Sequence, residues 1–197
     1  MSRNAPPSTR PNAAPREVRI IGGQWKRTKL PVRDKAGLRP TPDRVRETLF
    51  NWLGHDLTGW HCIDAFAGTG ALGFEAASRG ASRVLLVEQD ADLVGLLRET
   101  KTKLQADAIE VRRGNGLSAL ASADAGTIDA IFIDPPFDSG LWDKALRAAA
   151  PALAEGGRIY LEAPIEWTAG TLAPFGLAVQ RHLKAGAVHA HLLCRAA

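Results

Sequence analysis

Residues 64 to 73 read Asp64-Ala65-Phe66-Ala67-Gly68-Thr69-Gly70-Ala71-Leu72-Gly73, directly after the apolar run His61-Cys62-Ile63. The run has the length and composition of a short buried strand, and Ala71 to Ser78 reads as a helix. Between them, two glycines let the backbone approach a ligand closely, while the helix N-terminus offers unpaired N–H groups. Gly68-x-Gly70-x-x-Gly73 alone is a weak fingerprint, because any tight strand-to-helix turn uses glycine.

Downstream the pattern repeats. Arg83 to Glu88, Ile109 to Arg112, Ile128 to Asp134 and Arg158 to Glu162 read as strands. Helical stretches separate them over Asp90 to Leu104, near Leu117 to Leu120 and over Leu141 to Leu153. Strict alternation predicts an α/β fold with a doubly wound parallel sheet. Leu177 to Leu183 and Val188 to Cys194 differ, being joined only by Lys184-Ala185-Gly186-Ala187, too short for a parallel crossover, so they form an antiparallel hairpin. The expected sheet is seven-stranded, mostly parallel, and ends in that hairpin.

Upstream the composition changes. Residues 1–50 hold 12 Lys or Arg against 4 Asp or Glu, and residues 51–197 hold 13 against 17, so a formal net charge of +4 divides into +8 and −4. A basic arm on a mildly acidic body points to a phosphate-bearing partner. Residues 1–16, proline-rich and without periodicity, are expected to be a disordered tail. Residues 17–56 read as a basic hairpin, with a glycine turn at Gly22-Gly23, followed by a helix to about Leu53. Thr41 is expected to cap that helix and Pro42 to open it. Val45, Leu49, Trp52 and Leu53 form its apolar stripe, with Arg44, Arg46, Glu47 and Asn51 on the wetter side. Residues 57–197 complete the α/β domain, and the 197-residue length suits one domain with an extension. Cys62 and Cys194 lie in apolar strand-like stretches and suggest no disulfide framework. No apolar run is long enough to span a membrane, and no secretory signal is evident, so a cytoplasmic protein is expected.

The candidate ligand residues collect at strand ends. Glu88, at the end of the second strand, can accept both hydroxyls of an adenosine ribose. Asp64, before the glycine loop, suits an ammonium-bearing ligand and would repel a pyrophosphate. With the terminal hairpin, this favours S-adenosylmethionine over NAD. Asn115, between Gly114 and Gly116, can accept from an adenine amino group and donate to N1.

Asp134-Pro135-Pro136-Phe137 closes the fourth strand, on the edge where ligands of open α/β sheets bind. An exocyclic amino group is a poor nucleophile because its lone pair is conjugated into the ring. The Asp134 carboxylate and the Pro135 carbonyl can hold both amino hydrogens, the prolines stiffen the turn, and Phe137 offers a face for the base. His189 and His191 lack the companions of a metal site, and no metal is expected. Of the five tryptophans, Trp25 in the basic hairpin is the one candidate for base stacking.

The set of motifs resembles a known family. Arg19-Ile20-Ile21-Gly22-Gly23, the stretch from Arg39-Pro40-Thr41-Pro42-Asp43 to Trp52-Leu53, the glycine loop and the Asp-Pro-Pro-Phe segment are similar to those of bacterial 16S ribosomal RNA guanine-N2 methyltransferases, over about residues 17–165. The resemblance implies a Rossmann-like class I methyltransferase fold with S-adenosylmethionine as cofactor. It implies that Thr41, Asp64, Phe66, Gly68, Gly70, Glu88, Gln89, Asn115 and Gly116 bind the cofactor, and that Asp134, Pro135, Pro136 and Phe137 hold the guanine. Arg19, Lys26, Arg27, Lys29, Arg39 and Arg44 would meet the RNA, free or in an assembling small subunit, and a monomer is expected. The family usually carries aspartate where Asn115 stands. An adenine-N6 or cytosine-N4 methylase, or a silent RNA-binding module, stays open as an alternative.

Overall fold

The computed structural model describes residues 17–33 and 41–196. The expected tail at residues 1–16 and Arg39 lie outside them. Strands β1 (Glu17–Arg19) and β2 (Lys29–Pro31) form an antiparallel pair, followed by α1 (Asp43–Leu53). The alternating part comprises β3 (His61–Asp64), α2 (Ala71–Ser78), β4 (Arg83–Glu88), α3 (Ala91–Leu104), β5 (Ile109–Arg113), α4 (Gly116–Ala121), β6 (Ile128–Ile133), α5 (Trp142–Ala152) and β7 (Leu153–Ala163). A short helix α6 (Ala169–Leu172) and the hairpin β8 (Leu177–Ala185) and β9 (Val188–Arg195) complete it. The sheet order is β5-β4-β3-β6-β7-β9-β8, parallel from β5 to β7 and antiparallel at β9 and β8. The crossover reverses between β3 and β6, and the crevice at such a switch point is where ligands of these sheets bind.

Because strand side chains alternate faces, each sheet face gathers its own core. Ile63, Leu85, Val87, Ile131, Ile133, Ile159 and Leu161 pack with residues of α4 and α5 on one face. Cys62, Val84, Leu86, Phe132 and Tyr160 pack on the other, with Phe74 of α2. Val18, Ile20 and Leu30 of the hairpin and Val45, Leu49 and Phe50 of α1 belong to this second cluster. The N-terminal elements therefore share a core with the sheet.

Three local expectations change. The hairpin does not turn on Gly22-Gly23, since backbone turns fall at Gln24–Arg27. Gly23 (φ 71°) instead permits a close approach to α2, for a Cβ there would lie 1.8 Å from the Ser78 carbonyl oxygen. Trp25 is half-buried against the core, its backbone N–H donating to Ser78 Oγ at 2.9 Å. Thr41 makes no helix cap: Pro42 is the N-cap residue of α1 and no side chain caps it.

Arg46, expected on the wetter side of α1, is fully buried. Its Nη2 donates to Asp43 Oδ1 at 2.6 Å, its Nε to the Thr41 carbonyl at 3.3 Å, and its Nη1 lies 3.9 Å from Glu75 Oε2. Glu75, also fully buried in α2, accepts the Ile21 and Gly22 N–H groups at 2.7 Å each and Arg79 Nε at 2.8 Å. One carboxylate thus joins hairpin, α1 and α2. Removing one partner of such a buried ion pair typically costs about 3 to 5 kcal/mol, because the other charge is left uncompensated.

Candidate active site

The carboxyl edge carries two clusters. At the first, Gly68 (φ 50°) and Gly70 (φ 78°) adopt left-handed backbone that a side chain would strain, and Gly70 opens α2. Glu88, half-buried, accepts Gly68 N–H at 2.9 Å on one oxygen and Gln89 and Asp90 N–H at 2.8 and 2.9 Å on the other. A carboxylate has about four acceptor positions, so Glu88 keeps capacity for a ribose hydroxyl while it fixes the loop. Gln89 is exposed beside it and Phe66 is half-buried.

Asn115 sits across this end, and its side-chain oxygen accepts Ser118 N–H at 3.2 Å, capping α4. Its amide nitrogen remains the group suited to an adenine ring nitrogen. Gly116 serves packing, since a Cβ there would lie 2.1 Å from the Ala65 carbonyl oxygen.

The second cluster is acidic. Asp64 is buried and accepts Gly73 N–H at 3.1 Å, and burial raises its carboxyl to about 7. Asp134 follows β6, and because Ile133 is paired with Leu161, the register continues to Asp134 beside Glu162. Alternation places Asp64, Asp134 and Glu162 on the face that α1 and α2 cover. Burial, then the neighbouring Glu162 and Asp64 charges, push the Asp134 carboxyl well above the usual range. Glu162 is buried and accepts the Tyr160 hydroxyl at 2.6 Å; desolvation raises it too, against hydrogen bonds from Tyr160 and Thr41. The Thr41 hydroxyl lies 3.5 Å from Asp134 Oδ2. Pro135 is buried, Pro136 exposed, and Phe137 half-buried against Trp142, with ring centroids 6.4 Å apart. Trp142 is anchored by its Nε1, which donates to the Glu162 carbonyl at 2.7 Å.

Arg19, Lys26, Arg27 and Arg44 are exposed, and Lys29 makes a surface ion pair with Glu17 at 2.8 Å. Arg27 holds a positive φ of 72° in the turn. His191 is buried and occupied, its Nε2 accepting Trp167 N–H at 3.0 Å, while His182 Nε2 and His189 Nδ1 are a hydrogen-bonded 3.0 Å apart. With His182 as the companion that spacing in sequence did not show, the three histidines bring ring nitrogens within 4.8 Å of one another.

Sequence reasoning missed Glu162, Glu75 and the burial of Arg46. Glu162 carried a usable signal, as an acid at the end of an apolar strand.

Strand order, terminal hairpin and glycine loop at the switch point together define a Rossmann-like class I methyltransferase. A family profile described as "Conserved hypothetical protein 95" matches residues 18–194. The ribosomal RNA small subunit methyltransferase D of Escherichia coli K12 is 41% identical over 183 residues, 92% of this chain and 91% of that protein. The Haemophilus influenzae protein of the same name is 43% identical over 133 residues, 66% of this chain and 69% of that protein. The solved Escherichia coli protein yhhF superposes with a TM-score of 0.79 at 40% identity, over 92% of this chain and 99% of that one. The chain belongs to this family. No helix among the described residues is long and apolar enough to cross a membrane.

Proposed function

We propose that the protein methylates the exocyclic N2 amino group of a guanine in small-subunit (16S) ribosomal RNA, with S-adenosylmethionine as donor. The observation that carries this reading is the Asp134-Pro135-Pro136-Phe137 turn set beside Glu162 and Asp64, at the switch-point edge of a sheet whose relatives are ribosomal RNA methyltransferases.

The residues fit the cofactor. Asp64 is a desolvated carboxylate with no cation beside it among the described residues, the complement of an ammonium group. Glu88, held by three backbone N–H groups, suits the ribose, and Asn115 the adenine. When bound, S-adenosylmethionine supplies an electrophilic methyl group on a sulfonium. Asp134 and the Pro135 carbonyl orient the guanine amino group by taking its two hydrogens, and Asp134 receives the proton that nitrogen must lose. Phe137, backed by Trp142, stacks the base. The desolvated setting strengthens the Asp134 interaction with the developing positive charge.

Arg19, Lys26, Arg27, Lys29 and Arg44 would hold RNA phosphates, which carry affinity rather than base choice. A cytoplasmic monomer acting on free RNA or on an assembling subunit completes the reading. Its test is transfer of tritiated methyl to 16S ribosomal RNA lacking the modification, followed by nucleoside analysis. N2-methylguanosine is expected. Label on adenine N6 or cytosine N4, or none, overturns the assignment.

A further inference from the structure

The acidic cluster contains more carboxylates than amino-group capture requires, and Glu162 is the unassigned one. The register places it next to Asp134, the Thr41 hydroxyl lies 3.5 Å from Asp134 Oδ2 and also bears on Glu162, and the Tyr160 hydroxyl donates to Glu162 at 2.6 Å. Among the described residues, the charged and titratable groups facing the pair are Asp64 at the end of β3, Tyr160 on β7 and Arg46 on α1, whose guanidinium donates to Asp43 and the Thr41 carbonyl and lies 3.9 Å from Glu75. Among the described residues, neutral hydroxyls are therefore the direct donors to the pair, and two adjacent carboxylates, Glu162 buried and Asp134 half-buried, cannot both ionise cheaply in such a setting.

We propose that Glu162 is a positioning residue that exchanges one proton with Asp134 through the Thr41 hydroxyl, so that Asp134 meets the amino group as a carboxylate. The inference rests on the amino-methyltransferase reading above. In the free protein Glu162, which accepts the Tyr160 hydroxyl, carries the negative charge and Asp134 keeps the proton, its O–H turned to the Thr41 oxygen. As the substrate amino group docks, the Asp134 O–H bond breaks and its proton passes to the Thr41 oxygen. The Thr41 hydroxyl proton moves to Glu162, giving one acid and one carboxylate as before, with no net change of charge. Asp134 is then free to accept the proton that the methylated nitrogen loses. The 3.5 Å Thr41–Asp134 separation is long for this exchange, as hydrogen bonds at unliganded sites often are.

The test follows the proton directly. In the ligand-free protein, an infrared carboxylic-acid band that disappears in Asp134→Asn reports protonated Asp134. In Glu162→Gln, where the neighbouring charge is gone, this band is expected to titrate at least one pH unit lower than in the wild type. The acidic limb of kcat/KM is expected to move down with it. Tyr160→Phe removes one of the donors that keep Glu162 ionised, so it should shift both in the same direction by less; it is informative even if the glutamine variant does not fold. Unshifted band and unshifted limb in a folded variant that still binds S-adenosylhomocysteine overturn the proposal. A wild-type protein that methylates no RNA would instead sink the functional reading, and the infrared titration would still report on the pair.

Discussion

The two ends of the carboxyl edge treat their acids in opposite ways. At the adenosine end, Glu88 is half-buried and surrounded by backbone donors from Gly68, Gln89 and Asp90, so its charge is satisfied before any ligand arrives. At the reacting end, Asp64 and Glu162 are buried, Asp134 is half-buried between their charges rather than among backbone donors, and the carboxyls of all three are raised. The first end is built to hold a shape. The second holds charge at a disadvantage that a cationic ligand and a hydrogen-bond-donating base would relieve, which is the condition for charge-based selectivity and catalysis.

Substitution at the reacting end should separate chemistry from binding. Asp134→Ala is expected to lower methyl transfer by at least about 10² to 10³, typical of losing one electrostatic stabiliser, while S-adenosylhomocysteine affinity measured by calorimetry stays near wild type. Asp134→Asn sharpens the point, since it keeps an acceptor oxygen without the charge. A wild-type rate in Asp134→Ala would reduce the turn to a structural element.

The same end should show its stored charge in stability. The Asp64 carboxyl titrates at about 7 in the folded chain and near 3.8 ordinarily, so between these values the folded state binds more protons than the unfolded state. Stability from this group therefore falls as pH rises through that window, by up to about 4 kcal/mol. In Asp64→Asn the ligand-free protein should lose less melting temperature between pH 5 and 8 than the wild type, measured by differential scanning calorimetry. Parallel curves would show that Asp64 is not disadvantaged there.

At the adenosine end, Glu88→Ala should act on affinity alone. The loss of a charge-assisted acceptor is expected to weaken S-adenosylhomocysteine binding by about 1.5 to 3 kcal/mol, with the loop freed at Gly68 adding to it. A variant that kept its affinity but lost its rate would erase the distinction between the two ends. The smallest effect lies off the edge. Replacing Lys26 and Arg27 by alanine should flatten the salt dependence of RNA affinity by roughly one unit of slope per phosphate contact, leaving cofactor affinity alone.

Much of this was legible in the chain. The alternation of strands and helices, the short link that forces the last hairpin, the glycine loop and the Asp-Pro-Pro-Phe turn all rest on residues close in sequence, where period and backbone preference decide the outcome. The order of elements, and the edge on which Asp64, Glu88 and Asp134 meet, followed from that alone.

The partners did not. Thr41 has the composition of a helix cap, but its hydroxyl faces Asp134, 93 residues away in sequence, and Pro42 takes the end of the helix uncapped. Arg46 lies on the polar side of α1 by period, yet burial against Glu75 of another helix overrides the local pattern. Glu162 reads as a strand-end acid until the β6–β7 register sets it beside Asp134. Sequence determined which groups reach the edge, because local backbone geometry does that; only the tertiary structure decided which charges are desolvated together, because that depends on which surfaces the packed elements remove from water.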